Sequence, residues 1–144
     1  MLIREKIRVP FADTDALGVV YYANYLRYFE RTGAEWFRRF DKPFTEYMAN
    51  GLYFIVTEVN VRYIKPARYD DVVTVECTLG YLDKFRFRLD YKMLAESEEL
   101  LVEGKVWHVI VNKDGKIRRL PKGFLERSKT YSDKGGSSGQ NPPV

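Results

Sequence analysis

The sequence predicts an α+β domain in which one long, aromatic-rich helix is covered on one side by an antiparallel β-sheet. Two observations carry this. From about Tyr22 to Phe40 the bulky residues Tyr25, Tyr28, Phe29, Trp36, Phe37 and Phe40 recur at spacings of three, four and seven, the period of an amphipathic helix. Beyond residue 50 the apolar period falls to two, in four extended segments separated by turn residues. A sheet that buries its apolar face against the helix satisfies both patterns.

The elements follow in order. Ile3, Ile7, Val9 and Phe11 alternate with Glu5, Arg8 and Pro10 over residues 3–11, a first strand, and a loop runs from Ala12 to Val20. The helix carries Arg27, Glu30, Arg31, Glu35, Arg38 and Arg39 on its other side, which should meet solvent or a subunit boundary, with Glu35 four residues before Arg39 in the favoured orientation for a helical ion pair. Gly33 inside the helix costs about 1 kcal/mol against alanine, so the close approach of neighbouring backbone is expected there. Pro43 fixes the helix end.

The later strands are expected at 53–65, 72–81, 84–93 and 100–112. In the second of these Val73, Val75, Cys77, Leu79 and Tyr81 share one face. In the third, Phe85, Phe87, Leu89, Tyr91 and Met93 face one way, while Lys84, Arg86, Arg88, Asp90 and Lys92 face the other; Arg88 and Lys92 read as a solvated face. Turns at Pro66–Asp71, Leu82–Lys84, Glu96–Glu99 and Asn112–Gly115 are short, which implies antiparallel neighbours. After Pro121, Phe124 and Leu125 suit a short terminal helix. The domain is expected to span 1–131, and 132–144, without a large apolar anchor before its last valine, reads as flexible linker or non-native appendage.

Composition narrows the function. The chain has 144 residues, enough for one core, with 45% hydrophobic and 31% charged residues, values of a globular protein rather than a disordered one. No apolar run approaches the roughly 20 residues of a spanning helix, and the N-terminus is charged too early for a secretory signal, so the cytoplasm is the expected location. Cys77 is the single cysteine, which excludes an intramolecular disulfide and a multi-thiolate metal site. A formal charge of +4 permits phosphate-bearing partners, coenzyme A among them, without selecting one. Nucleic-acid binding would rest on this charge alone and is not expected.

The segment with chemistry in it is Phe11-Ala12-Asp13-Thr14-Asp15-Ala16-Leu17-Gly18-Val19-Val20-Tyr21-Tyr22-Ala23-Asn24-Tyr25, where two carboxylates and a glycine precede the helix. A helix start offers unpaired N–H groups and partial positive charge that can hold an oxyanion. An aspartate beside it can attack a thioester or act as general base toward water. On residue types alone, Asx-turns or helix capping by Asp13 and Asp15 explain the same pattern. His108 lies on an apolar face, remote from any nucleophile motif, and reads as a satisfied structural residue; Cys77 reads as a buried hydrophobe.

Asp13-Thr14-Asp15-Ala16-x-Gly18-Val19-Val20-Tyr21-x-Ala23-x-Tyr25 with Tyr28-Phe29-Glu30-Arg31, joined by the block Val61 to Asp71, resembles the signature of the 4-hydroxybenzoyl-CoA thioesterase family, nearest to its Tol-Pal-associated acyl-CoA thioesterase branch. The likeness covers residues 3–130. It implies a hotdog fold, a curved sheet of about five strands around a central helix, and homodimers or tetramers with sites at the subunit boundary. It implies hydrolysis of an acyl-CoA, with no cofactor beyond the coenzyme A of the substrate. Asp15 falls on the family's catalytic carboxylate, the Tyr22 backbone N–H on its oxyanion donor, and Gly18 on the position that lets the loop approach the thioester. Asp13 becomes a loop-fixing neighbour, and Asn24 and Glu30 take packing or capping roles.

Two departures stand out. One branch has histidine at the position of Tyr22 and tyrosine at that of Phe11, whereas the branch typified by the 4-hydroxybenzoyl enzyme has tyrosine at the position of Tyr22, so this chain mixes features of both and a histidine-assisted mechanism is not expected. For the coenzyme, Lys84 matches a phosphate contact, with Arg86 or Arg68 as helpers, because relatives with further arginines have them where Leu82 and Asp83 stand. The aromatic residues Tyr25, Tyr28, Tyr53 and Phe54 are expected to line the acyl site. Within the same fold, a module that binds acyl-CoA or acyl carrier protein without hydrolysis remains the alternative. A hydratase would need a histidine in the aspartate loop, and there is none.

Overall fold

The computed structural model describes residues 1–132; the expected linker at 132–144 lies, apart from Ser132, outside the described residues. Strand β1 (Ile3–Arg8) is followed by a 3-10 turn (Phe11–Asp13), helix α1 (Asn24–Phe40), a short helix α2 (Phe44–Ala49), and strands β2 (Tyr53–Tyr63), β3 (Val72–Leu82), β4 (Arg86–Leu94) and β5 (Leu100–Val111). Helix α3 (Lys122–Ser132) closes the described chain, where Phe124 and Leu125 had pointed to one.

The strands form one antiparallel sheet in the order β1-β3-β4-β5-β2. Sequence neighbours β3, β4 and β5 pair as their short turns require. Strands β2 and β3 do not, although Pro66–Asp71 is short: the chain crosses from one edge of the sheet to a strand beside the other. That crossing lets the 66–71 segment run past the loop before α1, with Val20 N–H donating to Ala67 O at 2.8 Å and Tyr69 N–H to Gly18 O at 3.1 Å. The site's loop is fastened by the connection that breaks the expected pairing.

Helix α1 buries Tyr25, Tyr28, Phe29, Trp36, Phe37 and Phe40 against the sheet, and its charged side is exposed. Glu35 pairs with Arg38 and lies 3.9 Å from Arg39, whose main partner is Glu5 of β1 at 2.7 Å. Gly33 does mark a close approach, but to side chains rather than backbone: a Cβ there would lie 2.2 Å from Tyr91 Oη and 3.1 Å from Leu89 Cδ1. Pro43 ends α1 and begins α2, which the sequence pattern missed because six residues are too few for a period. Phe37, Phe44, Phe54, Phe87 and Phe124 gather at this end of the helix, in ring contacts of 5.0–5.6 Å.

Three expectations about sheet faces are corrected. A bulge between Leu79 and Tyr81 inserts a residue and turns Tyr81 to the outer face, where it meets Trp107 at 5.2 Å. Arg88 is 2% exposed rather than solvated, held by Asp90 at 2.6 and 3.0 Å and by Gly80 O at 3.2 Å, under the Trp107 ring. Phe85 belongs to the turn before β4 and is exposed. His108 faces inward as expected and stacks on Phe87 at 4.6 Å, yet it is not satisfied, for its Nδ1 is buried without a hydrogen-bond partner. Burial holds this imidazole neutral, with its pKa pushed down to about 4. Cys77 is buried, and burial raises its thiol pKa, in keeping with a core role.

Candidate active site

The loop between β1 and α1 is a small hairpin. Thr14 bridges Val20, Asp15 N–H donates to Val19 O at 2.9 Å, and Gly18 N–H returns to Asp15 O at 3.0 Å. Gly18 has φ +74°, the left-handed conformation that closes a three-residue hairpin turn and that a side chain disfavours. The glycine therefore shapes the turn that carries Asp15.

The two aspartates are treated differently by this turn. Asp13 is buried: its carboxylate accepts from Tyr28 Oη at 2.6 Å and from Arg27 Nη1 at 3.1 Å. Its carbonyl accepts from Tyr21 N–H at 2.9 Å and Asn24 Nδ2 at 3.0 Å, tying the hairpin to the start of α1. Burial, then the neighbouring carboxylate, raises the Tyr28 pKa, so this hydroxyl remains a donor. Asp15 is exposed. Its Oδ1 accepts from Leu17 N–H at 2.8 Å, an Asx-turn, and Oδ2 has no partner among the described residues.

Neither aspartate caps α1. The cap position is Ala23, which makes no side-chain hydrogen bond, and the Tyr22 N–H in the turn just before it has no acceptor among the described residues. Such a group, beside the positive end of a 17-residue helix, is a donor free to meet an oxygen of a ligand. Asp15 and Tyr22 share one cleft of about 330 Å³ with Val19, Val20, Tyr25, Tyr63, Ile64, Lys65 and Pro66. A carboxylate, an apolar wall and the residue that carries an unpaired N–H thus meet at one opening, a parts list that suits binding an acyl group and attacking or polarising its carbonyl.

With that geometry fixed, comparison with known proteins is decisive. Residues 9–128 match the thioesterase-like superfamily. The chain belongs to it. The acyl-CoA thioester hydrolase YbgC of Escherichia coli is 32% identical over 129 residues, covering 89% of this chain and 96% of that protein. A 1,4-dihydroxy-2-naphthoyl-CoA hydrolase from Thermosynechococcus vestitus is 32% identical over 102 residues, 70% of each chain. Among solved structures, a probable thioesterase from Bartonella henselae superposes with a TM-score of 0.78 at 35% identity, covering 84% of this chain and all of the other. The fold is the hotdog fold of this superfamily, as the motif resemblance implied.

Within this thioesterase-like chain the expected residues fall into two groups. Asp15, Gly18 and Tyr22 come together, and Arg68, whose backbone bridges Val19, is exposed on the strip beside them. Lys84 and Arg86 do not join them. They sit past the far end of β3, whose 11 residues at about 3.3 Å each separate the two regions by about 35 Å. Arg86 is also held by Asp83 at 3.3 Å. Of the expected aromatic lining, only Tyr25 reaches the cleft: Tyr28 serves Asp13, and Tyr53 and Phe54 lie at the opposite end of β2.

Sequence reasoning passed over Tyr63, Ile64 and Lys65. They lie within the second motif block, but only the pairing of β2 with β5 and the crossing that follows bring them to the hairpin. Among the described residues no group of three or more His, Cys, Asp or Glu side chains is arranged to hold a metal, and no helix is long and apolar enough to cross a membrane.

Proposed function

We propose that the protein is an acyl-CoA thioesterase that hydrolyses its substrate to a carboxylic acid and coenzyme A in the Asp15 cleft. The observation that carries this is the shared opening of an exposed carboxylate and an unpaired helix-start N–H. The Tyr22 N–H donates a hydrogen bond to the thioester carbonyl oxygen, and Asp15 either attacks the carbonyl carbon or takes a proton from the attacking water. The C–S bond then breaks, sulfur takes a proton, and water supplies the oxygen of the acid. Gly18 keeps the hairpin tip free of a side chain. Within the superfamily, the Asp13 to Tyr25 motif favours the Tol-Pal-associated branch.

The assembly we propose is a homodimer formed along β2. This edge strand exposes Ile55, Val56 and Val59, and it ends in the cleft residue Tyr63, so a second sheet joined here would wall the site. Dimers can pair again into tetramers. A second copy is also what the coenzyme site requires: Lys84 and Arg86 are too far from Asp15 in one chain, so they serve a neighbouring copy's cleft, while Arg68 serves its own. The single, buried thiol suits a cytoplasmic protein.

A thiol-release assay over short, long and aromatic acyl-CoAs tests the activity and the acyl class together. Turnover of at least one series is the expected result. Tight acyl-CoA binding with no thiol released from any of them would identify a binding module instead.

A further inference from the structure

Tyr22 brings two backbone groups to the turn before α1, and their fates differ. The N–H has no protein acceptor among the described residues, while the C=O accepts a hydrogen bond from Tyr63 Oη at 2.9 Å. Tyr63 is the last residue of β2, 41 positions along the chain. Its ring packs edge-on against Tyr25, with centroids 5.4 Å apart, and the Tyr25 hydroxyl is itself fixed by accepting the Ala67 N–H at 3.0 Å.

The helix lacks a clamp of its own at this point. A serine or aspartate at the cap would tie the first turn through its side chain, but Ala23 has none to offer. On the near side Tyr21 N–H is anchored to Asp13 O at 2.9 Å. On the far side, among the described residues, the bond to the Tyr22 carbonyl from outside the turn comes from Tyr63. Residue 22 is therefore held by the hairpin before it and by the sheet after it.

We propose that Tyr63 is a positioning residue for thioester hydrolysis: its hydroxyl fixes the Tyr22–Ala23 peptide, so that the adjoining Tyr22 N–H points at the acyl carbonyl oxygen. The proposal rests on the thioesterase reading above. The bond is half-exposed and on an edge strand, so its loss changes stability little; what it controls is the direction of a donor whose value depends on alignment. Tyr63→Phe keeps the ring contact with Tyr25 and the apolar wall of the cleft, and removes only the oxygen.

The parent, Tyr63→Phe and Asp15→Asn proteins are compared in steady-state thiol release with butyryl-CoA and benzoyl-CoA, and by the amide NMR resonances of Tyr22 and Ala23. The expected result for Tyr63→Phe is kcat lower by about tenfold, the worth of one orienting hydrogen bond, with KM within a factor of about two. Its unfolding midpoint stays at the parent's value, and both amide resonances move. Parental kcat in Tyr63→Phe while Asp15→Asn is inactive overturns the positioning role alone. A raised KM with unchanged kcat also overturns it, since Tyr63 is then only a binding contact. Unmoved amide resonances overturn it whatever the turnover. Parental turnover in Asp15→Asn removes the thioesterase mechanism itself.

Discussion

Asp13 and Asp15 are two residues apart and differ in one physical respect, burial, which decides what each can do. Buried Asp13 has its carboxylate answered by Tyr28 and Arg27 and cannot reach a substrate; exposed Asp15 keeps one oxygen uncommitted. Tyr28→Phe leaves the buried carboxylate short of a donor and is expected to destabilise the fold by about 1.5–3 kcal/mol, measured by denaturant unfolding, because hydrogen bonds to charged groups lie in that range. The motif made both aspartates legible in the sequence. It could not show that Tyr63 and Lys65 join them, since those residues arrive through long-range pairing. His108 adds a pH test. Its folded pKa is about 4 against about 6.5 when unfolded, so the unfolded chain binds the extra proton between these values. Stability from this group is complete above pH 6.5 and falls as pH drops toward 4, by about 3 kcal/mol at most. Unfolding midpoints across pH 4–7 should show this slope in the parent and a shallower one in His108→Leu.

At the scale of elements, α1 was legible because its apolar residues repeat at the helical period, β3 and β4 because theirs alternate, and β5 because it is a more continuously apolar run between turns. The partner of β2 was not legible: it pairs with β5 rather than β3, a choice made by non-local contacts that no local pattern encodes, whereas the β3–β4 and β4–β5 pairings followed from their short turns. The outward turn of Tyr81 was hidden for a related reason, since one bulge residue reverses every face beyond it. Helix and sheet meet most closely at Gly33, under Tyr91, whose ring is stacked on Phe29 at 4.7 Å and cannot swing away freely. Gly33→Ala would gain helix propensity on its own, yet it is expected to destabilise the protein by about 1–3 kcal/mol through overpacking. Adding Tyr91→Phe removes the clashing oxygen and should recover part of that loss, so the double-mutant cycle in chemical denaturation should show a favourable coupling.

For the whole molecule, the proposed second copy would cover the exposed apolar residues of β2 and bring Lys84 and Arg86 to a cleft. Sedimentation equilibrium should give at least twice the 17.0 kDa of one chain, and Ile55→Lys with Val59→Lys should shift it toward a single chain, with activity falling in parallel. The sequence revealed the hairpin end of the site and not its walls, because a cleft is a property of elements brought together. In the proposed mechanism the hydrolysis depends on the exposed Asp15 carboxylate. This dependence is tested most directly by comparing single-turnover thiol release by the parent and by Asp15→Asn on the best acyl-CoA of the panel, with binding of that substrate measured in both. Unchanged binding and a rate at least about 100-fold lower in the variant are expected, an effect of the size that removal of a general base produces. Equal rates would contradict it.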